Sequence, residues 1–266
     1  MLFARELSPV TYKLAKKIQT DVSEHADFYI LSYREETNLN KYESEFKDCF
    51  YVVSRKDLSE HCSQYHNKYN DTAEWKIMPG NLDLAQIVFT SIVSGYSYYW
   101  FCEDDVRFTS NYGSLVTAYD AVEDDLLCTN LRKIPDRWFY KNTYLSNDSV
   151  VPDKIGFLPF FRVSSSAIDC LIDEYSKGAG GHHEISWPNL LARNNLSVKD
   201  LKTYVPNLYT SNKNRLSLGW GTFCYFPPKY FVVPGTKRLY HPVKPFAAYV
   251  TLYKKYLLRN LSKIFN

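Results

Sequence analysis

The run Tyr98-Tyr99-Trp100-Phe101-Cys102 ends abruptly at Glu103-Asp104-Asp105. Five consecutive apolar and aromatic residues suit a strand buried on both faces, the situation of a strand inside an α/β sheet. Ligands of such sheets gather at the carboxyl ends of the strands, so three acids at that point mark a polar site. Other segments fit the same sheet. Residues 27–32 (DFYILS) and 49–54 (CFYVVS) are short apolar runs closed by polar residues, the pattern of buried parallel strands. Trp75-Lys76-Ile77-Met78 predicts a third, followed by the break Pro79-Gly80-Asn81 and a crossover helix over 82–93 with Leu84, Ile87, Val88 and Ser91 on one face. The segment from Ser8 to about Val22 opens on Ser-Pro and predicts a helix ahead of the first strand. In the second half, 126–129 and 155–163 read as strands and 165–175 as a helix that stops before Lys177-Gly178. The loop Gly178-Ala179-Gly180-Gly181 leads into His182-His183-Glu184; a further helix is expected to begin at Trp187-Pro188, and 239–244 closes the core.

No repeat or Pro/Gly/Ser-rich linker divides the 266 residues, so we expect one catalytic-size domain over 1–250 and a basic amphipathic tail over 251–266. A net charge of +3 and the lack of a basic stripe interleaved with aromatics speak against nucleic acid as a partner. Twenty-three tyrosines help to make the chain 17% aromatic, which suits a core and also a sugar-binding cleft. The six cysteines form no CxxC pair and read as reduced, mostly buried thiols. The first residues lack a leader's apolar stretch, and no run of about 18 apolar residues occurs, so the expected location is the cytoplasm. The tail from Tyr253 to Phe265 mixes bases with apolar residues at helical spacing. It reads either as an interfacial helix in peripheral contact with an anionic inner membrane, on its cytoplasmic face, or as a helix packed on its own domain with a solvated basic face.

On an extended strand end Glu103 and Asp105 project to one side and Asp104 to the other. Two carboxylates about 4 Å apart repel by roughly 1 kcal/mol in water and roughly 4 kcal/mol at an effective dielectric near 20, a cost that a divalent cation reverses. Oxygen ligands favour magnesium or manganese. The plainer reading is a solvated turn of acids. Glu123-Asp124-Asp125 precedes an apolar run instead of following one and reads as such a surface turn.

The segment Tyr99-Trp100-Phe101-Cys102-Glu103-Asp104-Asp105-Val106 resembles the DXD segment of GT-A glycosyltransferases, particularly bacterial enzymes that build lipopolysaccharide or capsule. The similarity runs in motif order from Asp27 to Lys244. It implies a Rossmann-like mixed sheet flanked by helices, a Mn²⁺ or Mg²⁺ ion, a nucleotide-sugar donor and a glycan or glycolipid acceptor. The resemblance implies that Asp105, with Glu103 or Asp104, binds the metal and the donor's ribose and diphosphate. His241, in Tyr240-His241-Pro242-Val243-Lys244, stands at a place similar to that of the late histidine that completes the metal shell in many members, with Lys244 beside the donor; a lone histidine is by itself more often a structural residue. Gly180-Gly181-His182-His183-Glu184 is similar to the family's glycine-rich loop and acid, which implies that Gly180, Gly181 and His183 line the donor. Glu184 is then the acceptor's base in an inverting displacement. The alternative is a turn with exposed histidines and a surface glutamate. Ser32, Tyr33, Arg34 and Asn81 resemble positions that hold nucleobase and ribose, although an arginine is by default a surface charge. The chain departs from the family in having Glu-Asp-Asp where many members have Asp-x-Asp. Two competing readings are a nucleotidyltransferase acting on a sugar phosphate and a non-catalytic carbohydrate-binding protein. The first wants a glycine-rich phosphate loop near the N-terminus, and Tyr33-Arg34-Glu35-Glu36 holds no glycine.

Overall fold

The computed structural model describes residues 1–69, 81–136, 138–146, 151–211 and 221–262. Strand β1 (Leu2–Phe3) precedes helix α1 (Pro9–Val22), which lies where expected. Ser8 and Thr11 cap α1 reciprocally, and Pro9 occupies the first turn, where a missing N–H leaves no helical bond unmade. Strands β2 (Ile30–Tyr33) and β3 (Phe50–Val53) come from the two apolar runs, and helices α2 (Arg55–Cys62) and α3 (Leu82–Ile92) follow. The strand expected over 75–78 lies outside the described residues. Leu84, Ile87 and Val88 are buried as expected, whereas Ser91 faces solvent.

Strand β4 (Tyr98–Glu103) is the aromatic run, followed by β5 (Arg107–Phe108) and α4 (Tyr112–Thr117). Strands β6 (Leu126–Lys133) and β7 (Lys154–Ser164), helices α5 (Ser165–Ser176) and α6 (His183–Arg193), strands β8 (Val198–Asp200) and β9 (Leu239–Tyr240), and helix α7 (Phe246–Leu261) complete the chain. The position expected to divide domain from tail, 250, falls inside α7.

Helix α6 starts at His183 and not at Trp187. His182 is its N-cap, its Nδ1 accepting from the Glu184 N–H at 3.3 Å, and this cap supplies the start that the sequence assigned to Pro188. Pro188 sits one turn inside, where its missing N–H leaves the Glu184 carbonyl without a helical donor.

Seven strands form one sheet in the order β3-β2-β1-β4-β7-β6-β8. β3, β2, β1 and β4 are mutually parallel, β7 is antiparallel to both β4 and β6, and β8 runs parallel to β6. This is the expected Rossmann-like mixed sheet flanked by helices. The chain steps outward from β1 to β2 to β3, then returns to place β4 on the other side of β1. The crevice outside the carboxyl ends of β1 and β4 is therefore a topological switch point. Alternation along the strands splits the core into two layers. Phe101 and Phe161 stack at 4.9 Å on the side of α2, α3, α5 and α6, while Cys102 and Phe160 turn to the side of α1 and α4. Each fully buried large apolar side chain contributes roughly 1.5–3 kcal/mol. None of the six cysteines forms a disulfide. Among the described residues no helix is long and apolar enough to cross a membrane.

Candidate metal and donor site

β4 delivers Glu103 to the sheet edge beside Phe3 of β1. A turn closed by the Val106 N–H on the Glu103 carbonyl (3.1 Å) then swings Asp105 round. The two acids converge as expected, but through this turn and not through strand alternation. Next, β5 pairs antiparallel with β9, Arg107 opposite Tyr240, and lays the segment after β9 along the acids. The Val243 N–H donates to the Asp105 carbonyl at 2.8 Å. Across 136 residues of sequence, His241 Nε2 comes to 3.3 Å from Asp105 Oδ1 and 3.7 Å from Glu103 Oε2. Lys244 Nζ lies 2.6 Å from Asp105 Oδ2. The imidazole is wedged against the rings of Phe157 and Phe223, with centroids 5.1 and 5.2 Å away, neither of which the sequence singled out.

His241 Nδ1 lies 2.9 Å from the Cys224 carbonyl, which can only accept, so Nδ1 carries the proton and donates it there. Nε2 then faces the two carboxylates and needs a cation between, either its own proton or a metal ion. With a proton there, burial lowers the imidazole pKa, but the hydrogen bonds to Asp105 and Glu103 and their charges raise it to about 9. Burial alone would raise Asp105, yet His241 and Lys244 hold it well below the usual carboxylate range. Asp104, half-buried and beside Asp105, is raised to about 6 by desolvation and then by that neighbour's charge, and its main-chain carbonyl accepts from Arg107 Nη1 at 2.7 Å.

Glu103, Asp105 and His241 each offer one ligand atom within 4.8 Å of the others. Asp105 Oδ1 is buried and accepts no well-formed hydrogen bond, since His241 Nε2, 3.3 Å away, can donate to it only when protonated. A histidine whose other nitrogen donates to a main-chain carbonyl, beside an under-satisfied carboxylate oxygen, is the usual arrangement of a metal ligand and its support. The two carboxylates and one imidazole fit manganese or magnesium.

Glu184 occupies the first turn of α6 and is mostly buried. Burial, then the charge of Glu103, pushes its carboxyl up to about 8, opposed by the Leu158 N–H and the charges of His241 and Arg132. It thus belongs to the surroundings of the acids. His182 and His183 are buried and stacked at 5.0 Å, and burial, then His183 and Lys68, lowers His182 to about 3. Neither histidine is exposed, and Glu184 is not a surface residue.

The glycine loop is shaped by protein neighbours. A Cβ on Gly180 would strike the Asn67 carbonyl, and one on Gly181, whose φ is +103°, would fall on the Thr143 carbonyl. Replacing Gly181 by alanine should cost roughly 2–4 kcal/mol in urea unfolding, from backbone strain plus displacement of the 143–144 main chain. A network absent from the sequence reading fixes this loop. Lys68 Nζ pairs with Asp83 (2.8 Å) and donates to the Gly181 carbonyl (2.8 Å), and Asp83 accepts from Tyr175 (2.6 Å) and Trp187 (3.1 Å). No local pattern announces it, because its members come from five segments.

The residues expected at the nucleobase are largely committed elsewhere. Ser32 is fully buried and donates to the Arg5 carbonyl at 2.6 Å. Arg34 is bidentate on buried Glu43, at 2.8 and 2.9 Å, and is not a free surface charge. Asn81 donates to the Lys68 carbonyl at 3.1 Å, and Tyr33 is half-buried at the end of β2. The second acidic run is also structured: Asp125 accepts from Ser164 and from the Ser197 main chain, each at 2.9 Å.

No family model matches the sequence, and no curated protein matches it. Among solved structures the chain is similar to mouse xyloside xylosyltransferase 1 in its apo form (TM-score 0.39, 9% identity, covering 74% of this chain and 82% of that one). It is also similar to the inositol-1-phosphate CTP transferase from T. maritima (TM-score 0.40, 9% identity, 75% and 84%).

Proposed function

We propose that the chain is a metal-assisted glycosyltransferase of the GT-A type, moving a sugar from a nucleotide-sugar donor to a glycan or glycolipid acceptor with inversion. The observation that carries this reading is the convergence of Glu103, Asp105, His241 and Lys244 at a topological switch point, with buried Glu184 within electrostatic reach. Glu103, Asp105 and His241 would hold a Mn²⁺ or Mg²⁺ ion, which supplies a counter-charge for the donor's diphosphate. Lys244 adds a second cation on the side where the leaving nucleotide collects negative charge. Glu184 takes the proton of the acceptor hydroxyl as that oxygen attacks the anomeric carbon. The bond from that carbon to the diphosphate oxygen breaks, its electron pair leaving with the nucleotide. Asp104 and His183, next in sequence to Asp105 and Glu184, would be further donor contacts. Such a transferase fits synthesis of lipopolysaccharide or another cell-surface polysaccharide in the cytoplasm, the tail touching the inner membrane.

Thermal shift with UDP, GDP, CMP and CTP, each with and without MnCl₂, tests the reading. A ligand at a hundred times its dissociation constant adds about 2.7 kcal/mol. We expect one nucleoside mono- or diphosphate to raise Tm only when manganese is present. A response to CTP alone would favour a nucleotidyltransferase, and no metal-dependent response to any nucleotide would remove the proposal.

A further inference from the structure

All 29 acids lie in residues 1–200, where 21 lysines and arginines leave a net charge of −8; residues 201–266 hold 11 lysines and arginines and no acid. Helix α7 belongs to that basic quarter and carries no fully buried residue. Its outward arc presents Phe246, Val250, Leu258 and Leu261, which are 47–61% exposed, with Lys254, Lys255 and Arg259 among and beside them.

The apolar surface continues past the helix. Tyr230 packs on Phe246 (5.2 Å), on Tyr249 (5.8 Å) and on Phe231 (4.7 Å), and the Phe231 ring is 79% exposed. On the other flank, Phe226 and α7 enclose a groove of about 310 Å³ with Leu252 and Tyr256 as its apolar wall and Lys255 and Arg259 as its cations. Tyr225, also exposed, abuts Phe226 (4.9 Å) and Phe157 (6.3 Å), and Phe157 touches His241. The face and the candidate site thus share Tyr225 as their boundary.

We propose that the face built from Phe231, Phe246, Val250 and Leu258 docks on an anionic lipid bilayer, with Lys255 and Arg259 taking a lipid phosphate at the mouth of the groove. The charge decides the occupant. A surface of exposed aromatic and aliphatic residues, carried by a segment that holds cations and no acid on a chain that is otherwise acidic, complements a negative interface with an apolar interior. A second copy would bring the same cations face to face, which like charges oppose. The proposal deepens the membrane contact assigned to the tail by naming the face, its phosphate-binding cations and its continuity with the cleft. It can be tested apart from transfer, because vesicle binding needs no donor.

The test is co-sedimentation of the full chain with phosphatidylcholine vesicles, with and without phosphatidylglycerol. We expect sedimentation only with the anionic lipid. The pair Lys255→Gln and Arg259→Gln should lower the partition by about 30-fold, since each cation near such a surface is worth about fivefold. The pair Phe231→Ser and Leu258→Ser should lower it by about tenfold or more. Circular dichroism of both exposed-site variants checks that they fold. Equal sedimentation with phosphatidylcholine alone, or none with either lipid, would overturn the proposal. So would a stable dimer in analytical ultracentrifugation that the Phe231→Ser and Leu258→Ser pair dissociates, since the face would then belong to a second copy.

Discussion

Exchange of Asp105 for asparagine is expected to slow sugar transfer by roughly a thousandfold or more and to abolish manganese-dependent stabilisation by the donor nucleotide. The amide keeps the shape of the carboxyl group but not its charge, and Asp105 is the acid that touches both His241 and Lys244. Lewis-acid and counter-charge stabilisation is worth several kcal/mol, and each 1.36 kcal/mol is tenfold in rate. The fold should weaken as well. Breaking a buried pair from one side costs about 3–5 kcal/mol when the remaining charge is trapped. Lys244 is one-third exposed and can turn to water, so the loss in urea should stay nearer 1–3 kcal/mol. Glu103→Gln makes the comparison informative, since Glu103 is more exposed and lies farther from His241. It should cost less stability while still weakening the response to metal. An unaltered manganese-dependent shift in the Asp105 variant would mean that this acid holds no ion.

The parts of the fold legible in the sequence were those that repeat a local rule several times over. β2, β3, β4, β6 and β7 each contain an apolar run long enough to exclude a surface strand, and α1, α3 and α5 carry helical spacing or cap signals at their ends. β1 has only two residues and so no period to read, yet it lies inside the sheet between β2 and β4, and Leu2 is fully buried. The start of α6 was misplaced because a proline after tryptophan looks like a first turn, whereas the operative cap is a histidine, an uncommon residue for that task. The site divides in the same way. The acids announced themselves through the strand they end. The place of His241 and Lys244 came from resemblance alone, since nothing local says that β9 will pair with β5. The roles suggested for Ser32 and Arg34 ignored partners far along the chain, Arg5 being 27 residues from Ser32 and Glu43 nine from Arg34. Polar side chains that look available in a sequence are often already satisfied in the fold, and only coordinates reveal by what.

Glu184→Gln is expected to move activity and stability in opposite directions. As the acceptor's base, the carboxylate should be worth about 10²- to 10⁴-fold in kcat, with donor and manganese binding little changed. The stability effect follows from the proton it holds. In the fold the carboxyl is pushed up to about 8 from a reference of 4.5, chiefly by burial and then by Glu103, against the Leu158 N–H, His241 and Arg132; His182 Nδ1 stands 3.9 Å from it. Between those two values the folded chain binds a proton that the unfolded chain has released, so stability falls as pH rises from about 4.5 towards about 8 and levels off beyond it. The accumulated loss is of order a few kcal/mol. Glutamine carries no such penalty, so the variant should unfold at higher urea than the wild type near pH 8 while the two converge near pH 4. In the wild type, kcat/KM should climb with pH along the same limb, at lower pH once a bound cation offsets the charge of Glu103. A variant that lost stability at every pH and kept its turnover would make Glu184 a packing residue and leave the proposed transfer without its base.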